Sequence, residues 1–381
     1  MLHATSWGSA IRGRASRFTR RRILGRLGVA GAGLAALAGA TERHTPRAVA
    51  QGAAPLRLKV LTVTMFQDLD RLAEANSGEA HLWVTRDVLD RRIEIPGAYS
   101  PLFVDAAGEH GLIITGMGIP NSAASMMTVG LSAALDLRST YIMVAGIAGT
   151  PPEVGTLGTA AWAEWVVNAG AANAIDPREL PSDWLYPYFH LGCTTPWCPD
   201  GFETGTEVFH LNATLTAAAV RLSQDVALAD SDAARAYRAH FPGPVADDAP
   251  RVIKADSASS ETFFGGRILS DWLSWWVGQW TDGRGVYGMS GNEDHGTMTS
   301  LRRLAAATLV DWDRVMVLRT ASDFDQPYPG RTALQAIGDS SDMGLPIALD
   351  ISLENAYRVG SAVTRAIIGD WDAWAAGVPP A

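Results

Sequence analysis

The run Tyr141-Ile142-Met143-Val144-Ala145-Gly146-Ile147-Ala148-Gly149-Thr150 starts as uninterrupted apolar residues and ends in glycine and alanine. A short apolar run without polar alternation predicts a strand buried on both faces. The small residues after it predict a turn at the strand's carboxyl end. The strand is therefore expected over 141–144, with Gly146-Ile147-Ala148-Gly149 as the turn. Leu58 to Thr64 and Gly111 to Gly118 read the same way upstream, and Ala160 to Val167, Val252 to Ala255, Val286 to Met289 and Val315 to Leu318 downstream. Between them lie helical patterns: one from about Asp68, one capped by Asn121 and running to Asp136, and others over 262–280, 293–310 and 351–369. Strands alternating with helices predict an α/β fold with a mostly parallel sheet. Residues 176–248 break the rhythm with loops rich in Pro, Trp and Gly and two Ala-rich helices near 212–225 and 229–240. They are expected as an insertion over one end of the sheet, either a structural elaboration or a lid.

The 381 residues are 47% hydrophobic and 19% charged, the composition of a globular protein and not of a disordered or collagenous chain. Nine of the 31 basic residues but one of the 40 acidic ones fall in the first fifty, leaving 22 basic against 39 acidic residues beyond them. A body of net charge −17 repels nucleic acid polymers and anionic bilayers, so neither is expected as a partner. Lys59 and Lys254 are the only lysines, which leaves little scope for Schiff-base chemistry.

The basic segment itself reads as an address. Thr19-Arg20-Arg21-Arg22-Ile23-Leu24 matches a twin-arginine export motif, the weakly apolar run Leu27 to Ala40 is too short to span a bilayer, and small-x-small cleavage candidates follow at Ala38-Gly39-Ala40 and Ala48-Val49-Ala50. The mature chain is expected to start near Gln51, as an exported protein, periplasmic or extracellular, without a membrane span. In that compartment Cys193 and Cys198, in Cys-Thr-Thr-Pro-Trp-Cys, are expected to form a loop-stapling disulfide, the spacing being no zinc pattern.

Open α/β sheets place their sites at the carboxyl ends of strands. Four such ends carry suggestive residues: Met65 with Asp68; Gly146, Ala148 and Gly149, whose small side chains let backbone N–H groups approach an anion or a sugar; Asn292-Glu293-Asp294-His295; and Arg319-Thr320-Ala321-Ser322-Asp323. Taken singly, Glu293 and Asp294 read as helix-dipole residues and His295 as a polar helix start. The run Trp272, Trp275, Trp276, Trp280 reads as packing along a helix.

Taken together, in this order, these segments resemble the nucleoside phosphorylase and nucleosidase superfamily, and within it the purine nucleoside permease family, from about Lys59 to Ile368. Met65 and Asp68 resemble the Met and nearby acid that follow the opening strand in the superfamily's hydrolases. Gly146 to Gly149 with Val154-Gly155 resemble its glycine-rich turn, Ser259 to Phe263 its base-stacking segment, Asn292-Glu293 its Met-Glu pair, and Arg319 to Asp323 its Arg-x-x-Ser-Asp segment. Asn292 stands where Met is usual, and Ser260-Glu261 where Gly-Asp is usual. The strand before the glycine-rich turn lacks the phosphate-binding Arg common in phosphorylases.

The resemblance implies a three-layer α/β/α fold around a mixed, mostly parallel sheet, and a purine nucleoside as ligand. It implies Asp323 as general acid with Ser322 orienting it, Glu293 on the ribose hydroxyls and Phe263 stacked on the base. Met65, Gly146, Ala148, Gly149, Asn292 and Arg319 are implied as further contacts, and Asp68 as the group that aligns or deprotonates a water. It also implies a homo-oligomer as the assembly to expect. Protonating the purine at N7 removes charge from the leaving base, which calls for a carboxyl whose pKa a desolvated site has raised. Hydrolysis of the N-glycosidic bond is expected ahead of phosphorolysis, in which phosphate would be the co-substrate; no other cofactor and no metal is expected. The alternative is a non-catalytic nucleoside-binding accessory for uptake.

Overall fold

The computed structural model describes residues 54–337 and 346–379, and the export segment expected over 1–50 lies outside them. In chain order the strands are β1 (Val60–Thr64), β2 (Arg91–Ile93), β3 (Leu102–Val104), β4 (His110–Ile114), β5 (Tyr141–Thr150), β6 (Ala160–Ala163), β7 (Trp165–Asn168), β8 (Asn173–Ala174), β9 (Tyr188–Phe189), β10 (Val208–His210), β11 (Val252–Lys254), β12 (Asp256–Ser259), β13 (Tyr287–Met289) and β14 (Val315–Phe324). The helices are α1 (His81–Arg86), α2 (Ile119–Gly130), α3 (Ala213–Ser223), α4 (Asp232–Arg238), α5 (Pro244–Asp247), α6 (Arg267–Trp280), α7 (Asp294–Ala306), α8 (Ala333–Ile337), α9 (Leu349–Gly369) and α10 (Trp371–Trp374).

Eight strands form the large sheet in the order β11-β6-β14-β5-β1-β4-β3-β2. Its centre, β14-β5-β1-β4, is parallel; β6 runs antiparallel to β14, and β3 and β2 form an antiparallel edge. The central strands are buried along their whole length, which is why they read as unbroken apolar runs. Leu61, Val63, Ile142 and Val144 pack with Met126, Val129, Met298, Leu301 and Leu304 of α2 and α7 on one face. Val60, Tyr141, Met143 and Met316 pack with Trp83, Leu215, Tyr357, Val359 and Val363 of α1, α3 and α9 on the other, giving three layers.

A smaller sheet, β10-β7-β12-β13, grows out of the large one. The segment expected as one strand over 160–167 is broken at Glu164, with β6 in the large sheet and β7 in the small one; Ala255 divides β11 from β12 in the same way. Asp256 fastens the divide: its Oδ1 accepts from the backbone N–H groups of Glu164 and Trp165 at 2.9 and 2.8 Å, and its Oδ2 from that of Val286 at 2.7 Å.

Other elements differ from expectation for local reasons. β5 continues to Thr150 and β14 to Phe324, so Gly146 to Gly149 and Arg319 to Asp323 lie within paired strands and not beyond them. α2 starts at Ile119 behind Gly118, which adopts φ +91° as N-cap; Asn121 sits inside the helix, its amide donating to the Met117 carbonyl. A 3-10 turn over Leu69–Arg71 and the later α1 replace the helix expected from Asp68.

The 176–248 segment is more than a cover over one sheet end. β10 pairs antiparallel with β7, α3 packs in the core against the large sheet, and Tyr237 of α4 reaches the cavity described below. Cys193 and Cys198 form a disulfide. Trp272 and Trp276 are fully buried among Val167, Ala258 and Tyr287, so the tryptophan run is packing.

Candidate functional site

Where the two sheets part, a cavity of about 400 Å³ opens between β5, β14, the loop 260–266, the turn after β13, and residues 346–349. Four carboxyl groups line it, the buried Glu79, Glu293 and Asp325 and the partly buried Asp323, with Arg319 the one cationic side chain among the described lining residues.

Glu79 arrives from the segment between β1 and α1. Gln67 and Gly78 form a bridge that folds 68–78 back on itself, and the Glu79 N–H donates to the Phe66 carbonyl. The carboxylate is thereby placed against the end of β1, where Oε2 accepts from the N–H groups of Met65 and Phe66 at 2.8 and 3.0 Å, while Oε1 accepts from Ile147 at 2.8 Å. Gly146 makes this approach possible: a Cβ there would lie 2.4 Å from Met65 Cε, 2.6 Å from Glu79 Oε1 and 2.8 Å from Arg319 Nη1. The small residues of β5 do admit an anion to the backbone, and the anion is the protein's own Glu79. Burial pushes its carboxyl up to about 7, with Arg319 pulling down and Glu293 adding to the rise.

Arg319 is fully buried and spoken for. Nε donates to Asp294 Oδ1 at 3.0 Å, Nη2 to the same oxygen at 2.6 Å and to Glu293 Oε2 at 3.4 Å, and Nη1 to the Ile147 carbonyl at 2.8 Å. Although burial opposes the cation, Asp294, Glu293 and Glu79 hold it firmly protonated. Asp294 also accepts from Ser257 Oγ at 2.6 Å, and Glu293 Oε1 from the Gly118 N–H at 3.1 Å. Glu293 is the N-cap residue of α7 but makes no side-chain capping bond there; its carboxylate is engaged by Arg319 and the Gly118 N–H instead.

Farther along β5, Gly149 sits between Ser290, Asp323 and Asp325. Asp323 Oδ1 accepts from Ser322 Oγ at 2.7 Å, and burial raises its pKa against that hydrogen bond. Asp325 Oδ2 accepts from Tyr287 OH at 2.7 Å and Ser270 Oγ at 2.8 Å, while Oδ1 is buried without a partner. Burial carries the Asp325 carboxyl up to about 7; the two hydroxyls lower it, and Asp323 and Glu153 raise it further.

A purine nucleoside permease (NUP) family profile matches residues 57–379. The chain belongs to the purine nucleoside permease family. It is 32% identical over 298 residues to the purine nucleoside permease of Candida albicans, covering 76% of this chain and 72% of that one. It is 29% identical over 329 residues to a probable purine nucleoside permease of Schizosaccharomyces pombe, covering 83% and 90%. Among solved structures it is similar to a 5′-methylthioadenosine/S-adenosylhomocysteine nucleosidase from Neisseria meningitidis in complex with methylthio-immucillin-A, with TM-score 0.47 and 13% identity over 81% of this chain and 100% of that one.

In this member of the permease family, the structure brings Asp323, Ser322, Glu293, Asn292, Arg319, Ala148, Gly149 and Phe263 to one cavity. Phe263 stands at the solvent-facing rim, 74% exposed. Gly146 and Met65 lie behind the lining, packed against Glu79. Asp68 is elsewhere: its Oδ1 caps the 3-10 turn by accepting from the Asp70 N–H, and it is exposed. The carboxylate beside the end of β1 is Glu79, which sequence proximity to the strand did not indicate. Glu261 is turned to α2, accepting from the Ile119 N–H at 3.1 Å. Asp325 was also missed; the alternation Asp323-Phe324-Asp325 in an extended segment was its available signal. No described helix is long and apolar enough to cross a membrane.

Proposed function

We propose that the cavity is a purine nucleoside site and that the protein, exported by its twin-arginine segment, hydrolyses the N-glycosidic bond. In this reading Asp323 gives its proton to purine N7, Glu293 holds the ribose hydroxyls, and Phe263 closes over the base. Glu79 takes the water role for which Asp68 is misplaced. The water oxygen bonds to C1′ as the C1′–N9 bond breaks; the bonding pair leaves with the base, which the Asp323 proton neutralises, and the water proton passes to Glu79. Asp323 is then reprotonated and Glu79 deprotonated by solvent.

The observation that carries this reading is the division of labour among buried carboxyls in one cavity. Asp323 has a raised pKa and a hydroxyl for its partner, as a proton donor requires, while Glu79, raised to about 7 by burial against the pull of Arg319, suits a base that takes a proton from water, and Glu293 is held by Arg319. A volume of about 400 Å³ suits a small-molecule ligand. Water is favoured over phosphate as the nucleophile because four carboxyl groups line the cavity and the Arg319 donors are engaged by protein acceptors.

The relatives' name supports a second reading, a nucleoside-binding component of uptake that performs no chemistry. The experiment that separates them is base release from inosine, adenosine and guanosine by the purified mature protein, with and without phosphate. Release without phosphate supports the hydrolase, release only with phosphate makes it a phosphorylase, and binding without release supports the uptake reading. Asp323→Asn abolishes turnover in an enzyme and spares affinity in a binder.

A further inference from the structure

Asp325 is a buried carboxyl for which neither substrate positioning nor fold gives a complete account. It is 6% exposed, lines the cavity, and leaves Oδ1 unpartnered while Oδ2 collects two hydroxyl donors. Asp323 lies beside it across Gly149: a Cβ on that glycine would be 3.3 Å from Asp323 Oδ2 and 3.7 Å from Asp325 Cβ. Tyr287, which donates to Asp325, also interacts with the Ser290 hydroxyl, and Ser290 Oγ borders the same glycine.

We propose that Asp325 is a positioning residue that shares one proton with Asp323, the two carboxyls forming a coupled acid pair at the end of β14. Two carboxyls in one desolvated cavity with no cation between them do not both ionise near neutrality; the charge left by the first proton holds the second. The titratable groups acting on Asp325 are Asp323 on β14 two residues before it, Tyr287 on β13 and Glu153 in the turn after β5. None is cationic. Tyr287 is held protonated by its burial and serves as a donor only, and Ser270 of α6 is neutral. In this proposal the charge of Asp323 helps to keep a proton on Asp325, and that shared proton is the one Asp323 presents to the base.

The consequence for turnover rests on the glycosidase reading; the titration of the pair does not. The test is the pH profile of kcat/KM for inosine in wild type, Asp325→Asn and Tyr287→Phe, beside the infrared carboxyl band of each protein without substrate. Asparagine keeps an acceptor oxygen for Tyr287 and Ser270 but removes the neighbouring charge, so the basic limb moves down by about one pH unit or more. Phenylalanine removes a donor that favours ionised Asp325, so the limb moves up. Basic limbs unchanged in both variants overturn the proposal. Loss of turnover at every pH in D325N together with retained turnover in Asp323→Asn also overturns it, by making Asp325 the acid. If D325N does not fold, the upward shift in Y287F decides. If wild type releases no base at any pH, the glycosidase reading has failed and the infrared titration decides alone. In that case the Asp323 band is lost at lower pH in D325N if the pair exists, and at an unchanged pH if it does not.

Discussion

The two ends of the cavity surround their acids with different partners. Around Gly146, Glu79, Glu293 and Asp294 surround Arg319, and negative charge is matched by a cation and by backbone N–H groups. Three residues on, about 10 Å along the strand, the side chains of Asp323 and Asp325 accept from hydroxyls among the described residues, those of Ser322, Ser270 and Tyr287. Burial is common to both ends. What differs is what works against desolvation: at Glu79 the Arg319 cation opposes it without cancelling it, and at Asp325 hydroxyl donors do. Under the glycosidase proposal, a site that holds a sugar, activates a water and protonates a leaving base uses both conditions close together.

The most damaging way to erase this contrast is Arg319→Met, which strips the cation from three carboxyl groups. Removing one partner of a buried ion pair costs about 3–5 kcal/mol, so urea denaturation should show a stability loss of that order, with base release lost as well. Asp323→Asn acts on the other end. It should lower base release by about 10²–10⁴-fold, measured at saturating inosine, and leave the urea midpoint at pH 7 nearly unchanged. Smaller, and common to both ends, is the pH dependence of stability. Asp325 rises from 3.8 and Glu79 from 4.5, each to about 7, so the folded state binds more protons than the unfolded state between those limits. Their stabilisation is present in full below about pH 4 and is lost as pH rises through 7, with a slope of at most about 1.4 kcal/mol per pH unit for each group. Asp325→Asn and Glu79→Gln should each flatten the curve of urea stability against pH over that window. A curve that rises instead would put cation-like compensation at both ends.

The parallel centre of the sheet was legible in the sequence because burial on both faces forces unbroken apolar runs such as Val60 to Val63 and Tyr141 to Val144. Glu293, Arg319, Ser322 and Asp323 were legible as candidates because their local segments, Asn292-Glu293 and Arg319 to Asp323, carry recognisable motifs, although β14 runs through the second of them. Arg319 reads differently in place: its donors serve Asp294, Glu293 and the Ile147 carbonyl, so it anchors the lining carboxylates. Glu79 was not legible. It reaches the end of β1 from fourteen residues beyond Met65, through a fold-back that depends on the Gln67–Gly78 bridge, and local spacing favoured Asp68. Strand ends were misjudged at Gly146 and Arg319 because glycine and charge were read as stop signals. In β5 the glycines Gly146 and Gly149 instead make room for Glu79, Arg319 and Ser290.

The breaks at Glu164 and Ala255 have a consequence for how such a cavity can diversify. Ile147, Ala148, Ser322 and Asp323 stand on the large sheet, whereas Ala258 and the residues after β13, Ser290 and Asn292, belong to the small one. Cavity width is thus the gape between two sheets, and the Asp256 carboxylate works as the spine of a book whose facing pages carry different residues. Substitutions near that spine are expected to change the outline of the cavity while the Asp323 acid stays on β14, so under the glycosidase proposal ligand range and proton chemistry are separable traits.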